Sequence, residues 1–180
     1  MTWSSGHADS YQQWVGKYAN LECDYFARHS TGNPIRYTFN DEGFRGPEFH
    51  KEPDISIFGS SFSFGVGIEW DQCWHQQLQD YKVNCYAPAG FAVRNSDIIE
   101  YYNIIQPAGI TILQFREIQY DIKPWEPPDS TFNFIIEKHH HSTVRTLTYD
   151  TFIDKANDGV HPGKKTHQQW AKWILQQFNL

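Results

Sequence analysis

The 180 residues carry 39% hydrophobic and 20% charged side chains, the size and make-up of one folded domain rather than of a disordered polymer, and no run of about 18 apolar residues is present to span a membrane. A net charge of −6, with no basic cluster beyond Lys164-Lys165, disfavours nucleic acid, whose phosphates need grouped cations. The scattered Cys23, Cys73 and Cys85 lack metal-ligand spacing and a pairing pattern, and Met1–Ser10 is polar with no apolar leader, so a cytoplasmic chain with neither membrane nor nucleic-acid partner is expected.

Residues 1–50, polar and aromatic and broken by Gly and Pro, read as an irregular N-terminal segment of a single domain over 1–180, with one helix around Tyr11–Asn20. The first clear strand is Asp54–Phe58, followed by a Gly/Ser stretch, Gly59 to Gly67, and a helix over about Asp71–Tyr81. A strand near Lys82–Tyr86, a loop with Pro88 and Gly90, and a helix near Ser96–Ile105 follow. Gly109–Phe115 is a continuous apolar run of the kind that parallel strands buried on both faces require. Pro124, Pro127 and Pro128 interrupt the next region, where Thr131–Ile136 reads equally as a strand or as the start of a helix. Lys164–Phe178 places Trp170, Trp173, Ile174 and Phe178 on one helical face. The alternation of strands and helices predicts an α/β fold with a mostly parallel sheet.

The Gly/Ser stretch is the most informative. A buried strand there runs into a turn of small residues, Gly59-Ser60-Ser61, at the sheet edge where open parallel sheets bind ligands. Ser61 is then exposed to the crevice, with the free N–H groups of a following helix aimed at the same place. Alone, the pattern fits a nucleophile, a phosphate cradle or a plain connection; no Gly-Lys-Ser/Thr follows, which excludes a Walker P-loop.

A serine nucleophile needs a base, and the base needs an orienting carboxylate. Asp158 and His161, three residues apart on a turn with Gly159 and Pro162, can face each other just before the last helix. A plain role for the pair, capping that turn or helix, stands beside the catalytic one.

Taken together, these segments resemble the SGNH/GDSL hydrolases. The family's Gly-Asp-Ser-Phe-Thr-Phe-Gly block reads Gly59-Ser60-Ser61-Phe62-Ser63-Phe64-Gly65 here, and its Asp-x-x-His-Pro block reads Asp158-Gly159-Val160-His161-Pro162. An Asn-x-x-Gly-Phe-Arg-Gly stretch of related members appears as Asn40 to Gly46. The resemblance covers roughly residues 36–178 and implies a three-layer α/β/α sandwich, flavodoxin-like, with a Ser61–His161–Asp158 triad and no cofactor or metal. It further implies an oxyanion hole from the backbone N–H groups of Ser61 and Gly90 and an Asn side chain after the third strand. No Asn stands there: the sequence reads Gln114-Phe115-Arg116-Glu117-Ile118-Gln119, leaving Arg116 or Gln119 as the third donor. Ser60 replaces the family's Asp, which is not a triad member.

The expected substrate is a small-molecule or glycan ester, cleaved as a carboxylic ester by a serine esterase, with a small acyl group on a carbohydrate favoured by fold-level analogy. Two alternatives are an O-acyltransferase using the same groups and an inactive binding module that keeps the fold. Arg45 is read as a buttress of the site, a salt-bridge partner or a substrate contact. His139-His140-His141 is read as an exposed polar segment rather than a metal tract, and Glu69 and Asp71 as electrostatic caps. Trp70, Trp74, Trp125, Trp170 and Trp173 are read as packing residues.

Overall fold

A computed structural model describes residues 14–25, 34–88, 95–107, 109–116, 132–138, 141–144 and 152–178. Two sheets organise them. The smaller pairs β1 (Glu22–Tyr25) antiparallel with β2 (Ile35–Thr38). In it Cys23, Tyr25, Ile35 and Tyr37 are buried while Glu22, Arg36 and Thr38 face water, the two-residue period of a half-buried strand. The larger sheet runs in the order β4-β3-β5-β6-β7. Its β3 (Ile55–Phe58), β4 (Val83–Tyr86) and β5 (Ile110–Arg116) are parallel, and β6 (Phe132–Lys138) and β7 (His141–Val144) form an antiparallel extension.

The fold is thus α/β with a three-stranded parallel sheet, and the whole sheet is mixed rather than mostly parallel. The Thr131–Ile136 ambiguity resolves as a strand, β6, that runs back along β5 with Leu113 opposite Ile135. The short 138–141 connection makes β7 antiparallel to β6 in turn, because a parallel partner needs a long crossover.

All four residues of β3 are buried, and β5 buries Thr111 to Gln114, as continuous central strands should. Each large aliphatic side chain such as Ile57 or Ile112 contributes about 1.5–3 kcal/mol when fully buried. Helix α1 (Ser61–Phe64) is a single turn, α2 (Asn95–Ile105) packs on β5 and β3, and α3 (Lys164–Phe178) buries Trp170, Ala171 and Ile174.

Two expected helices differ. Of the helix expected around Tyr11–Asn20, residues 11–13 lie outside the described residues, Trp14 is helical, and residues 15–20 form successive turns, with Gly16 and Asn20 in the left-handed region at φ 75 and 55. The Asp71–Tyr81 helix is replaced by two 3₁₀ turns, Trp70–Gln72 and Trp74–Gln77, split by an extended Cys73. A tertiary partner accompanies the split: the Trp74 N–H donates to Nδ1 of His167 on α3 at 3.0 Å, so it closes no helical turn. Asp71 lies in the first of these turns, and Glu69 precedes it without a side-chain cap bond. Trp74 and Trp170 are fully buried and Trp70 and Trp173 partly so. Trp125, His139 and His140 lie outside the described residues. Among the described residues no helix is long and apolar enough to cross a membrane.

Candidate active site

The chain leaves β3 to one side to form β4, then returns across it to form β5 on the other. The carboxyl end of β3 therefore lies at a switch in strand order, where a crevice opens in sheets of this kind. Phe58 is level with Tyr86 and Leu113, so Gly59-Ser60-Ser61 emerges between the ends of β4 and β5. The Gly59 N–H donates to the Tyr86 carbonyl at 3.3 Å.

Ser61 begins α1 after an extended Ser60 (φ −117, ψ −160) and is 3% exposed. The helix ends after one turn because Gly65 adopts φ 75, a left-handed conformation that disfavours other residues. The N–H groups of Gly65 and Val66 both donate to the Ser61 carbonyl, at 3.1 and 3.2 Å. A one-turn helix has little macrodipole, so the N-terminus of the helix expected to follow Ser61 offers little electrostatic stabilisation.

Beneath this turn sits a polar layer. Ser63 Oγ donates to Gln114 Oε1 at 2.7 Å, and His75 Nε2–H donates to the Ser63 carbonyl at 2.9 Å. His75 Nδ1 accepts from Gln76 at 3.0 Å, which fixes a neutral tautomer. Burial pushes His75 down to about 3, and His167 likewise to about 3, so both stay uncharged at neutral pH. Burial also pushes the Cys73 thiol up to about 11 and that of Cys85 well above its ordinary value, so neither is a ready nucleophile.

The second half of the site is a turn on itself. Asp158 Oδ1 accepts the backbone N–H groups of Val160 and His161, each at 3.0 Å, and Oδ2 meets His161 Nδ1 at 2.5 Å. Burial opposes ionisation of Asp158. The hydrogen bond and charge of His161 and the two backbone donors outweigh it, holding the carboxyl below its usual range. With Nδ1 engaged by Asp158, Nε2 is the nitrogen left to exchange a proton. Asp154 anchors the same ribbon to α3 by accepting from the Lys165 and Thr166 N–H groups at 3.0 and 2.8 Å.

The two halves meet. The Phe62 ring lies 5.4 Å from the His161 ring between centroids, and Asn157 N–H donates to the Gly67 carbonyl at 3.1 Å. Gly67 permits this approach: a Cβ there would stand 2.9 Å from that of Ala156 and 3.4 Å from Asp158 Cγ.

Arg45 lies inside rather than on a substrate-facing surface. It is 3% exposed, and its guanidinium donates to the carbonyls of Phe64 (3.0 Å), Gly65 (2.6 Å) and Ile68 (2.8 Å) over the Tyr37 ring at 4.1 Å. It has no carboxylate partner among the described residues, so the expected salt bridge is replaced by carbonyl contacts. Gly90 and Gln119 lie outside the described residues, and Arg116 closes β5. The sequence pattern assigns no role to Gln114, Ser63 or Tyr37. A Gln inside an otherwise apolar strand run is the signal that marks Gln114. The Gln114 Nε2 and Ser60 Oγ are buried without a hydrogen-bond partner among the described residues. Among the described residues no three His, Cys, Asp or Glu side chains group as metal ligands. Comparison with family models, curated proteins and solved structures found no match for the chain.

Proposed function

We propose that the chain is a serine hydrolase of SGNH/GDSL type, a three-layer α/β/α sandwich that cleaves a carboxylic ester through Ser61, His161 and Asp158. The observation that carries this reading is the bonded Asp158–His161 pair packed against Phe62, the residue next to Ser61, at the carboxyl end of β3. Ser61 Oγ attacks the ester carbonyl while His161 Nε2 takes its proton. Asp158 holds the ring in the required tautomer and stabilises the imidazolium. His161 then returns the proton to the departing alcohol, and water, activated by the same nitrogen, hydrolyses the acyl-enzyme. The N–H groups of Ser61 and Gly90 with Arg116 or Gln119 receive the oxyanion, an interaction worth roughly 10²–10³ in rate per donor.

The substrate class is a small-molecule or glycan ester bearing a small acyl group, with transfer to a sugar hydroxyl as the same chemistry on another acceptor. Three unpaired cysteines, all buried, accord with a cytoplasmic setting. The absence of Asn in the stretch after β5 favours one competing reading, an inactive binding module.

Hydrolysis of a p-nitrophenyl acyl series by the wild type and by Ser61→Ala decides between them. A loss of roughly 10⁶-fold in kcat is expected. Equal rates for the two proteins would sink the catalytic reading and favour the module.

A further inference from the structure

Gly65 to Ile68 forms the joint between the helix bearing Ser61 and the turn bearing His161. On one side its N–H groups at Gly65 and Val66 close onto the Ser61 carbonyl. On the other, the Gly67 carbonyl takes the Asn157 N–H, and Ala156 and Asp158 crowd against Gly67. The third side is held from the N-terminal segment. Tyr37 Oη accepts the Gly67 N–H at 2.8 Å, and Arg45 gathers the carbonyls of Phe64, Gly65 and Ile68. Tyr37 and Arg45 are themselves stacked, 4.1 Å from guanidinium carbon to ring centroid.

A buried guanidinium with no carboxylate partner costs several kcal/mol unless its donors are satisfied. Here three carbonyls, one at the end of α1 and two in the loop after it, accept from it, in a geometry that a planar fork of donors can match and an ammonium cannot. Fixing that loop sets where α1 stands relative to Asn157 and Asp158, because α1 and the Asn157 N–H are both bonded to it and Asp158 packs beside Gly67. The Gly-Phe-Arg-Gly stretch singled out in the sequence has no other role in the proposed chemistry.

We infer that Tyr37 and Arg45 are positioning residues, which act through the Gly65–Ile68 joint to hold Ser61 and the Asp158–His161 pair in one catalytic register. The inference rests on the hydrolase reading, since a register matters only if the two halves react together. Misplacing a reacting group by about 1 Å costs on the order of 10²-fold in rate. Tyr37→Phe removes only the oxygen that Gly67 bonds and keeps the stacked ring. Arg45→Ala removes the clamp but leaves space for free guanidinium, while Arg45→Lys keeps charge without the fork.

The test is the rate at which the full chain reacts with a fluorophosphonate serine probe, at temperatures well below each variant's Tm, with the final labelled fraction recorded. Tyr37→Phe should label roughly 10–100-fold more slowly, with the probe's half-saturating concentration unchanged and every chain labelled in the end. Arg45→Ala should be slow and partly restored by added guanidinium, and Arg45→Lys should remain slow. A merely structural role would lower Tm and the labelled fraction instead. Folded Tyr37→Phe labelling within twofold of the wild-type rate overturns the inference, and if that variant does not fold, failure of guanidinium to speed Arg45→Ala does so. If wild type itself does not label, the hydrolase reading fails. The low-field proton signal of the His161–Asp158 bond then decides the clamp: a shift in Tyr37→Phe supports it, and an unmoved signal overturns it.

Discussion

The turn that carries His161 and the turn that carries Ser61 are held in opposite ways. Asp158 bonds the backbone of Val160 and His161 and the ring of His161, all within three residues of itself, and Asp154 ties that ribbon to the helix that follows. Ser61 stands on a one-turn helix whose supports come from far along the chain: Tyr86 at the end of β4, Gln114 on β5, His75 in a 3₁₀ turn, and Tyr37 and Arg45 from the N-terminal segment. A base can be oriented by local hydrogen bonds because a carboxylate needs only to reach one imidazole. The proposed nucleophile, on a single short turn, has too few local bonds to fix it, so the tertiary structure must do so.

This contrast can be broken at several points. The largest effect is expected at the local pair. His161→Ala should lower ester hydrolysis about as much as loss of the nucleophile, roughly 10⁶-fold, and Asp158→Ala by roughly 10⁴-fold. Steady-state rates on p-nitrophenyl acetate measure both, and a loss below tenfold at Asp158 would remove it from the proposed triad.

Acid should act on the distant supports. His75 and His167 sit near 3 when folded and near the ordinary 6.5 when unfolded, so between those values the unfolded chain binds more protons. Their contribution to stability is full above about pH 6.5 and declines as pH falls, by about 1.4 kcal/mol per unit for each histidine. The depressed Asp158 and Asp154 add to the loss only at lower pH, where carboxylates take up protons. Urea midpoints between pH 7 and 5 should therefore fall steadily, and His167→Gln should flatten the slope by about half. An unchanged slope in that variant would show that the ring is already charged when folded.

A smaller effect belongs to the Ser63–Gln114 bond. Gln114→Met leaves the Ser63 hydroxyl buried without its acceptor and should cost about 1–3 kcal/mol in chemical denaturation. Adding Ser63→Ala should recover part of that loss, since removing both partners is less harmful than removing one. No recovery would mean that the amide matters for packing alone. The smallest change is expected at Ser60, whose buried hydroxyl has no hydrogen-bond partner among the described residues. Ser60→Ala should alter stability by less than about 0.5 kcal/mol, measured the same way.

Much of the sheet could be read in advance. The continuous runs at Asp54–Phe58 and Gly109–Phe115 announce buried strands, and both stand within a residue or so of β3 and β5. The helical face of Lys164–Phe178 coincides with α3. The β1–β2 pairing escaped notice because its four-residue strands are short and flanked by polar, Gly-bearing sequence. The helix expected over Asp71–Tyr81 failed because periodicity says nothing of a His167 nearly a hundred residues on that accepts the Trp74 N–H. Arg45 was visible as part of a motif, but a charged residue reads as a surface or salt-bridge group until the carbonyls around it are known.

What the sequence determined by itself is whatever depends on neighbours a few residues apart: the apolar strand runs, the amphipathic last helix, and an Asp and a His spaced so that one can hold the other. Only the tertiary structure decided the strand order that sets β3 between β4 and β5, the antiparallel turn-back of β6, and the enclosure of Arg45 beneath the Ser61 helix. Those outcomes depend on contacts between residues far apart in the chain, and no local pattern records them, because each is settled by which buried polar group finds which partner when the layers close.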